Sequence, residues 1–238
     1  MNKFYVKQVD KSDMQARLLY LMGATWHNKC MFDLDSNEDS FATILQKQGI
    51  ESYTFDNLDN HEDNVDFAVE LIDKYNIDYI LGYSYGCVTA FDVVKKTKVN
   101  KIMFLDPLSQ VKVNKQIIGD QFILSKDNIR LAIKENNVHA TASMIQAYVE
   151  ATAGAEFMVV PTYPATRFRH SKTQYFNCDT FKNINSRKFR LFLTDQSTEE
   201  SRLWNLDITT RYENSSHWIL IEPGRHKLAS DMVQFIQE

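Results

Sequence analysis

The sequence predicts an α/β protein in which a mostly parallel central sheet is flanked by helices and interrupted by a helical cap. Short apolar runs alternate with amphipathic segments, which indicates strands joined by helical crossovers. A G-x-S-x-G pentapeptide directly follows one of the apolar runs, as expected where a strand turns sharply into a helix. The alternation stops between residues 107 and 187 and then resumes, which indicates an insertion.

Each strand is predicted from a short apolar or β-branched run that ends at a turn residue. The run from Arg17 to Met22 ends at Gly23, and the run from Lys101 to Leu105 ends at Asp106-Pro107. The full set of predicted strands is 17–22, 52–55, 79–81, 101–105, 188–193 and 207–212.

Helices are predicted where apolar residues recur at spacings of three and four. In the segment from His61 to Tyr75, this spacing joins Val65, Ala68 and Ile72, and Glu62 lies in the first turn, where the helix dipole favours an acid. The predicted helices are 41–48, 61–75, 85–96, about 120–135, about 138–153 and 226–236.

The predicted domains are a core formed by residues 1–106 and 188–238 and a mainly helical cap formed by residues 107–187. The basic segment from Arg167 to Lys172 has an interleaved aromatic residue and could hold a carboxylate or phosphate, although a solvated face is the alternative. Six apolar residues are candidates for the cap lining: Met144, Tyr148, Phe157, Met158, Tyr163 and Phe168.

The composition argues against several kinds of partner. With 27 basic and 31 acidic residues the net charge is −4, so no overall positive field attracts nucleic acid or an anionic membrane, and a small neutral or locally complemented substrate is easier to accommodate. The longest apolar run, residues 18–26, is shorter than the roughly 20 residues that span a bilayer. Three cysteines without C-x-x-C spacing indicate reduced thiols, and the expected location is the cytoplasm. No nucleotide-binding motif or metal-ligand set is found, so no cofactor is expected, and the oligomeric state is left open.

The most informative segment is Gly82-Tyr83-Ser84-Tyr85-Gly86. The chain has only seven glycines, whereas an average protein has about 7% glycine. A strand that turns sharply into a helix while projecting one side chain needs residues without a Cβ on either side of that side chain. This spacing therefore predicts that Ser84 projects above the sheet as a nucleophile, at the N-terminus of the next helix.

This segment resembles the nucleophile elbow of the α/β-hydrolase family. The resemblance implies the chain order nucleophile, acid, histidine, and an oxyanion hole built from the amide after the nucleophile and an amide from an earlier loop. In this sequence these amides belong to Tyr85 and Ala24. Many relatives have histidine before the glycine of the earlier loop, where this chain has Met22.

The same resemblance implies that the general base lies in a loop ahead of the C-terminal helix. His217 has this position, in a segment similar to the family's G-H-x-x-x-x-E-x-P ending. The sequence has five other histidines, of which only the first, which follows the oxyanion loop, is a candidate substrate contact: His27, His61, His139, His170 and His226.

The acid has two candidates because two aspartates follow predicted strands. Asp195 follows the run from Lys188 to Leu193 at the usual family position, and it is the predicted catalytic acid together with Ser84 and His217. Asp106 follows an earlier strand, at a position used by a minority of relatives, but Asp-Pro is also an ordinary turn initiator.

The resemblance therefore implies a serine hydrolase whose partner is a small-molecule acyl substrate, namely a carboxylic ester or thioester. The alternatives are an amide, peptide or carbon–carbon bond hydrolase with the same triad, or a homologue that binds a ligand or partner without catalysis. Five residues are predicted to contact substrate: Trp26, His27, Tyr83, Tyr148 and Trp218.

Overall fold

The structure is a computed structural model. It describes residues 4–23, 32–58, 61–107, 122–123, 125–153, 156–157, 188–195 and 208–238. Part of the predicted cap lies outside these ranges, including the basic segment 167–172 and three of the apolar residues predicted to line the cap: Met158, Tyr163 and Phe168.

A central sheet of seven strands forms the core. Its strands are β1 Phe4–Lys7, β2 Ala16–Leu21, β3 Ile50–Phe55, β4 Tyr79–Tyr83, β5 Lys101–Leu105, β8 Phe189–Thr194 and β9 Thr209–Tyr212. The strand order is β1-β3-β2-β4-β5-β8-β9, and every neighbouring pair is parallel except the antiparallel edge pair of β1 with β3. This confirms the predicted α/β class.

Helices cover both faces of the sheet. Successive residues of β2 face opposite sides, so Leu18 and Tyr20 join one apolar cluster whereas Leu19 and Leu21 join the other. The helices are α1 Phe41–Lys47, α2 His61–Tyr75, α3 Gly86–Lys96, α4 Lys126–Glu135, α5 Ala142–Thr152 and α6 Gly224–Gln237. The first cluster includes residues of α1, α4, α5 and α6, and the second includes residues of α2 and α3.

The structure differs from the sequence-based expectation at both ends of the chain. The sequence does not predict β1, a strand of four residues that is too short to show a clear alternation, and its antiparallel pairing places it at the edge of the sheet. Helix α6 begins at Gly224, two residues before the predicted start at His226.

Within the predicted cap, the structure describes α4, α5 and a small antiparallel pair formed by β6 Phe122–Ile123 and β7 Glu156–Phe157. The two helices pack against each other. Their buried residues join the apolar cluster on the α1 and α6 face of the sheet. None of the helices described in the structure is both long and apolar enough to cross a bilayer.

Candidate active site

The chain turns sharply at Ser84, between β4 and α3. Ser84 has a φ of 54°, a left-handed conformation that costs a non-glycine residue roughly 1 to 3 kcal/mol. The backbone is crowded on both sides of the turn. A Cβ on Gly86 would lie 1.9 Å from the carbonyl oxygen of Leu21, and a Cβ on Gly82 would lie 2.8 Å from the Cα of Cys87. Close packing therefore requires both glycines, and it holds the strained serine in place.

The loop after β2 begins beside this turn. A Cβ on Gly23 would lie 2.9 Å from the Cβ of Ser84 and 3.2 Å from its Oγ, so a side chain at position 23 would crowd the serine. The side-chain amide of Asn57 donates a hydrogen bond of 2.7 Å to the carbonyl oxygen of Gly23 and fixes the start of the loop. Sequence reasoning missed Asn57, which follows β3. Three residues predicted in this loop lie outside the described residues: Ala24, Trp26 and His27.

The imidazole of His217 meets Asp106, which directly follows β5. Nδ1 of His217 lies 3.2 Å from Oδ2 of Asp106. The carboxylate also accepts hydrogen bonds from the backbone N–H of Thr194 at 2.7 Å and from its hydroxyl at 2.6 Å. Only 2% of Asp106 is exposed, so these three donors hold a buried carboxylate in one orientation.

Asp195 does not make the predicted contact with His217. It lies just beyond the end of β8, is exposed, and accepts the backbone N–H of Asn214 at 2.5 Å. The carboxylate that contacts His217 is therefore that of Asp106, not that of Asp195. Strand β8 ends at Thr194, which contacts Asp106, whereas the carboxylate of the next residue closes a surface turn.

Tyr83, a predicted substrate contact, supports His217 instead. Its ring stacks on the imidazole with centroids 4.9 Å apart and an interplanar angle of 28°, and its phenol donates to the carbonyl oxygen of His217. Burial raises the pKa of Tyr83, so the phenol keeps its proton. The Trp218 ring also packs against the imidazole of His217, with ring centroids 6.2 Å apart and the two planes nearly perpendicular. Only 3% of Tyr83 is exposed.

We expect Tyr83→Phe to lower the free energy of unfolding modestly. The change leaves the ring stack intact but removes the donor to the carbonyl oxygen of His217, and a buried hydrogen bond that is lost costs roughly 1 to 3 kcal/mol. Thermal melting measures this loss. The matched control is Tyr79→Phe on the same strand, because that phenol donates at 3.5 Å to a carbonyl of α6. Equal losses in the two variants would contradict a specific role for Tyr83.

Buried ionic groups anchor the loop that carries His217. Glu222, which is 1% exposed, accepts the backbone N–H of Ser216 at 2.8 Å and that of His139 at 2.9 Å. Arg225 donates to carbonyl oxygens of the same loop and, at 2.9 Å, to the carboxylate of Glu38. The loop is thus fixed to the segment that precedes α5. The H-x-x-x-x-E spacing was the sequence signal for Glu222.

Helix α5 lies against this histidine loop. The indole Nε1 of Trp218 donates a long hydrogen bond of 3.4 Å to the phenol oxygen of Tyr148, which is 7% exposed. Met144, a predicted lining residue, is fully buried in the core. A cleft of about 580 Å³ lies on another side of α5, between that helix and residues 35–37, and neither Ser84 nor His217 lines it.

Ser84 and Asp106 leave the sheet side by side. Strands β4 and β5 are paired, and the backbone N–H of Ser84 donates to the carbonyl oxygen of Leu105 at 2.9 Å. His217 contacts the residue before Ser84 as well as Asp106, which places the imidazole beside the serine turn. Within the described part of the chain, Ser84 Oγ and His217 form no direct hydrogen bond.

Comparison with solved structures agrees with this architecture. A lipase-esterase related protein from Clostridium acetobutylicum is 15% identical, with a TM-score of 0.61 and coverage of 99% of both chains. An alpha/beta hydrolase fold protein from Nakamurella multipartita is 10% identical, with a TM-score of 0.54 and coverage of 98% of this chain and 94% of that one. The thioesterase domain that cyclizes the lipopeptide surfactin is 13% identical, with a TM-score of 0.51 and coverage of 99% and 96%.

No protein-family model matches the sequence, and no curated protein matches it significantly. The similarity is therefore one of architecture across almost the whole chain at low sequence identity. The chain has the α/β-hydrolase fold, as its strand order and the serine turn after β4 indicate.

Proposed function

We propose that this protein is a serine hydrolase that cleaves a carboxylic ester or thioester through an acyl-enzyme intermediate. Ser84 is the nucleophile, His217 is the general base, and Asp106 is the acid that orients the base. The observation that carries this proposal is the contact between the buried Asp106 carboxylate and His217 beside the strained turn at Ser84.

The proposed reaction follows from the protonation of the imidazole. Asp106 accepts a hydrogen bond from the proton-bearing Nδ1 of His217. The neutral imidazole then has its lone pair on Nε2, which is the nitrogen that can take a proton from Ser84 Oγ. Oγ forms a bond to the substrate carbonyl carbon, and Nε2 then returns the proton to the departing alcohol or thiol. Water repeats the sequence on the acyl-enzyme and releases the acid. The imidazolium formed in each half-reaction is stabilised by the Asp106 carboxylate.

An oxyanion forms on the substrate carbonyl oxygen during attack. The backbone N–H of Tyr85 lies at the start of α3, where helix amides and the helix dipole favour negative charge. The family resemblance supplies the amide of Ala24 as the second donor. Each such donor contributes roughly 3 to 4 kcal/mol to transition-state stabilisation in comparable sites.

Residues 107–187 form the cap that sets substrate choice in this proposal. Support comes from α5, whose Tyr148 contacts Trp218 next to the proposed base. Both side chains remain candidates for substrate contact. The solved structures with this architecture include a protein named as lipase-esterase related and a thioesterase domain, which favours an acyl compound as the substrate.

The test is covalent labelling combined with a substrate panel. Only an activated serine reacts rapidly with a fluorophosphonate probe, so we expect rapid labelling, with the modified peptide mapping to Ser84. Hydrolysis of p-nitrophenyl esters and acyl thioesters of increasing chain length then defines the acyl specificity. Rapid labelling with hydrolysis of amides but not esters would favour the amide alternative. An absence of labelling together with an absence of hydrolysis would refute the hydrolase proposal and favour a binding protein.

A further inference from the structure

A second group of buried polar side chains lies beneath the serine turn, outside the proposed triad. His61 is the first residue of α2 and is 4% exposed. Its Nδ1 lies 2.9 Å from the phenol oxygen of Tyr85, and its Nε2 lies 2.9 Å from Oδ2 of Asp92 on α3. Tyr85, the residue directly after Ser84, is 3% exposed. The group therefore joins α2, α3 and the turn.

The pKa of Asp92 indicates which atom is the donor in its contact with His61. Burial alone would raise the pKa of Asp92, but hydrogen bonds from His61 and Lys95 outweigh it, and the pKa lies below its usual value. Asp92 is therefore an ionised acceptor, and His61 Nε2 is the donor to it. In the neutral imidazole, Nδ1 is then an acceptor, so the phenol of Tyr85 donates to it. Lys95 contacts the other carboxylate oxygen of Asp92 at 2.6 Å and is half exposed.

The turn needs such an anchor because Ser84 has a strained backbone. A left-handed serine persists only when its surroundings fix the residues around it. Packing against the glycines constrains the turn sterically. Tyr85 adds a directional constraint, since its side chain is tied to His61 and its own backbone N–H is the proposed oxyanion donor. A rotation of Tyr85 would move that N–H together with the phenol.

We infer that His61 and Asp92 are positioning residues that hold Tyr85, and through it the oxyanion-donating amide, in the orientation needed for catalysis. This inference rests on the proposed function. The two residues act on the transition state through Tyr85 and do not touch the substrate. Their loss should therefore lower kcat while KM stays nearly unchanged, because the oxyanion is formed only in the transition state.

The experiment compares four variants with the wild-type protein on one activated ester. His61→Leu removes both hydrogen bonds, and Tyr85→Phe removes only the phenol. His61→Gln keeps one acceptor and one donor and should recover part of the lost turnover. Lys95→Gln is the matched control, because it removes the solvent-side partner of Asp92 and leaves the bond between Asp92 and His61 in place.

We expect His61→Leu and Tyr85→Phe to lower kcat by roughly 10- to 100-fold, below the 10²- to 10³-fold cost of losing an oxyanion donor entirely. The affinity for a boronic acid that forms a tetrahedral adduct should fall in parallel, and Lys95→Gln should match wild type. Circular dichroism and melting curves identify the temperature range in which every variant is fully folded.

Two results would overturn the inference while leaving the proposed function intact. One is unchanged kcat and boronate affinity in folded His61→Leu or Tyr85→Phe. The other is a loss of activity that only follows the unfolded fraction, which would indicate a purely structural role. A wild-type protein that neither reacts with the fluorophosphonate nor hydrolyses any ester would overturn both proposals together.

Discussion

Asp106→Asn should lower kcat by about 10⁴-fold while the protein stays folded, as the same change does in a comparable triad. The amide can donate a hydrogen bond to Nδ1 of His217, which places the single proton of the neutral imidazole on Nε2. That tautomer cannot accept the proton of Ser84. The fold survives because the amide oxygen can still accept the backbone N–H of Thr194, and the Thr194 hydroxyl can rotate to accept from the new amide nitrogen.

Asp195→Asn is the matched control for this variant. Its side chain is exposed and accepts one backbone N–H, which an amide oxygen can also do, so we expect nearly normal turnover and a stability change of at most about 1 kcal/mol. Turnover on one activated ester and melting temperature measure both variants. If Asp195→Asn lost activity and Asp106→Asn kept it, the acid would be Asp195 and the proposed triad would be wrong.

Ser84→Ala should abolish hydrolysis and labelling, with kcat lowered by about 10⁵- to 10⁶-fold, near the loss found when the serine of another hydrolase is removed. The bond to the acyl group cannot form without Oγ, whereas the turn depends on Gly82 and Gly86. Alanine has the same backbone preference as serine to within about 1 kcal/mol, so the melting temperature should change little. Single-turnover hydrolysis and intact-protein mass spectrometry after probe treatment give the two readouts.

Ser52→Ala is the matched control for the nucleophile. Ser52 is a buried serine of β3 whose hydroxyl lies 3.5 Å from the carbonyl oxygen of Ile50. It should keep full labelling and turnover. Labelling that persisted in Ser84→Ala but disappeared after another serine was replaced would move the nucleophile to that residue.

The fold could be predicted from the sequence because its signals are local. Apolar runs and helical spacing are properties of short segments, and the central parallel strands β2, β4, β5 and β8 are largely buried on both faces, so their sequences are mostly apolar. The sharp turn at Ser84 could be predicted from the two glycines that flank it, although the backbone that crowds Gly86 belongs to Leu21 on β2. The strand β1 carries too few residues to show a pattern, and its place in the sheet depends on pairing with β3.

The aspartate that contacts His217 could not be chosen from the sequence because two aspartates follow strands at the same edge of the sheet. The choice depends on which carboxylate the imidazole meets, and that is a tertiary contact between residues 111 positions apart. The contacts of His61 could not be predicted from the sequence either, since its partners lie 24 and 31 positions away. A buried histidine on an otherwise amphipathic helix has no sequence signal that separates a packed residue from one linked to the site.

The pairing of β4 with β5 also links the proposed activity to the alignment of two strands. Tyr83 lies opposite Leu105 in this ladder, so the next residues, Ser84 and Asp106, emerge at the same level. A slip of one residue would turn the β5 side chains to the opposite face of the sheet and place Leu105 or Pro107 where the carboxylate lies. If the proposed function is correct, chains misregistered at this one ladder would be inactive, so the fraction of active sites in a preparation would measure how faithfully two central strands align.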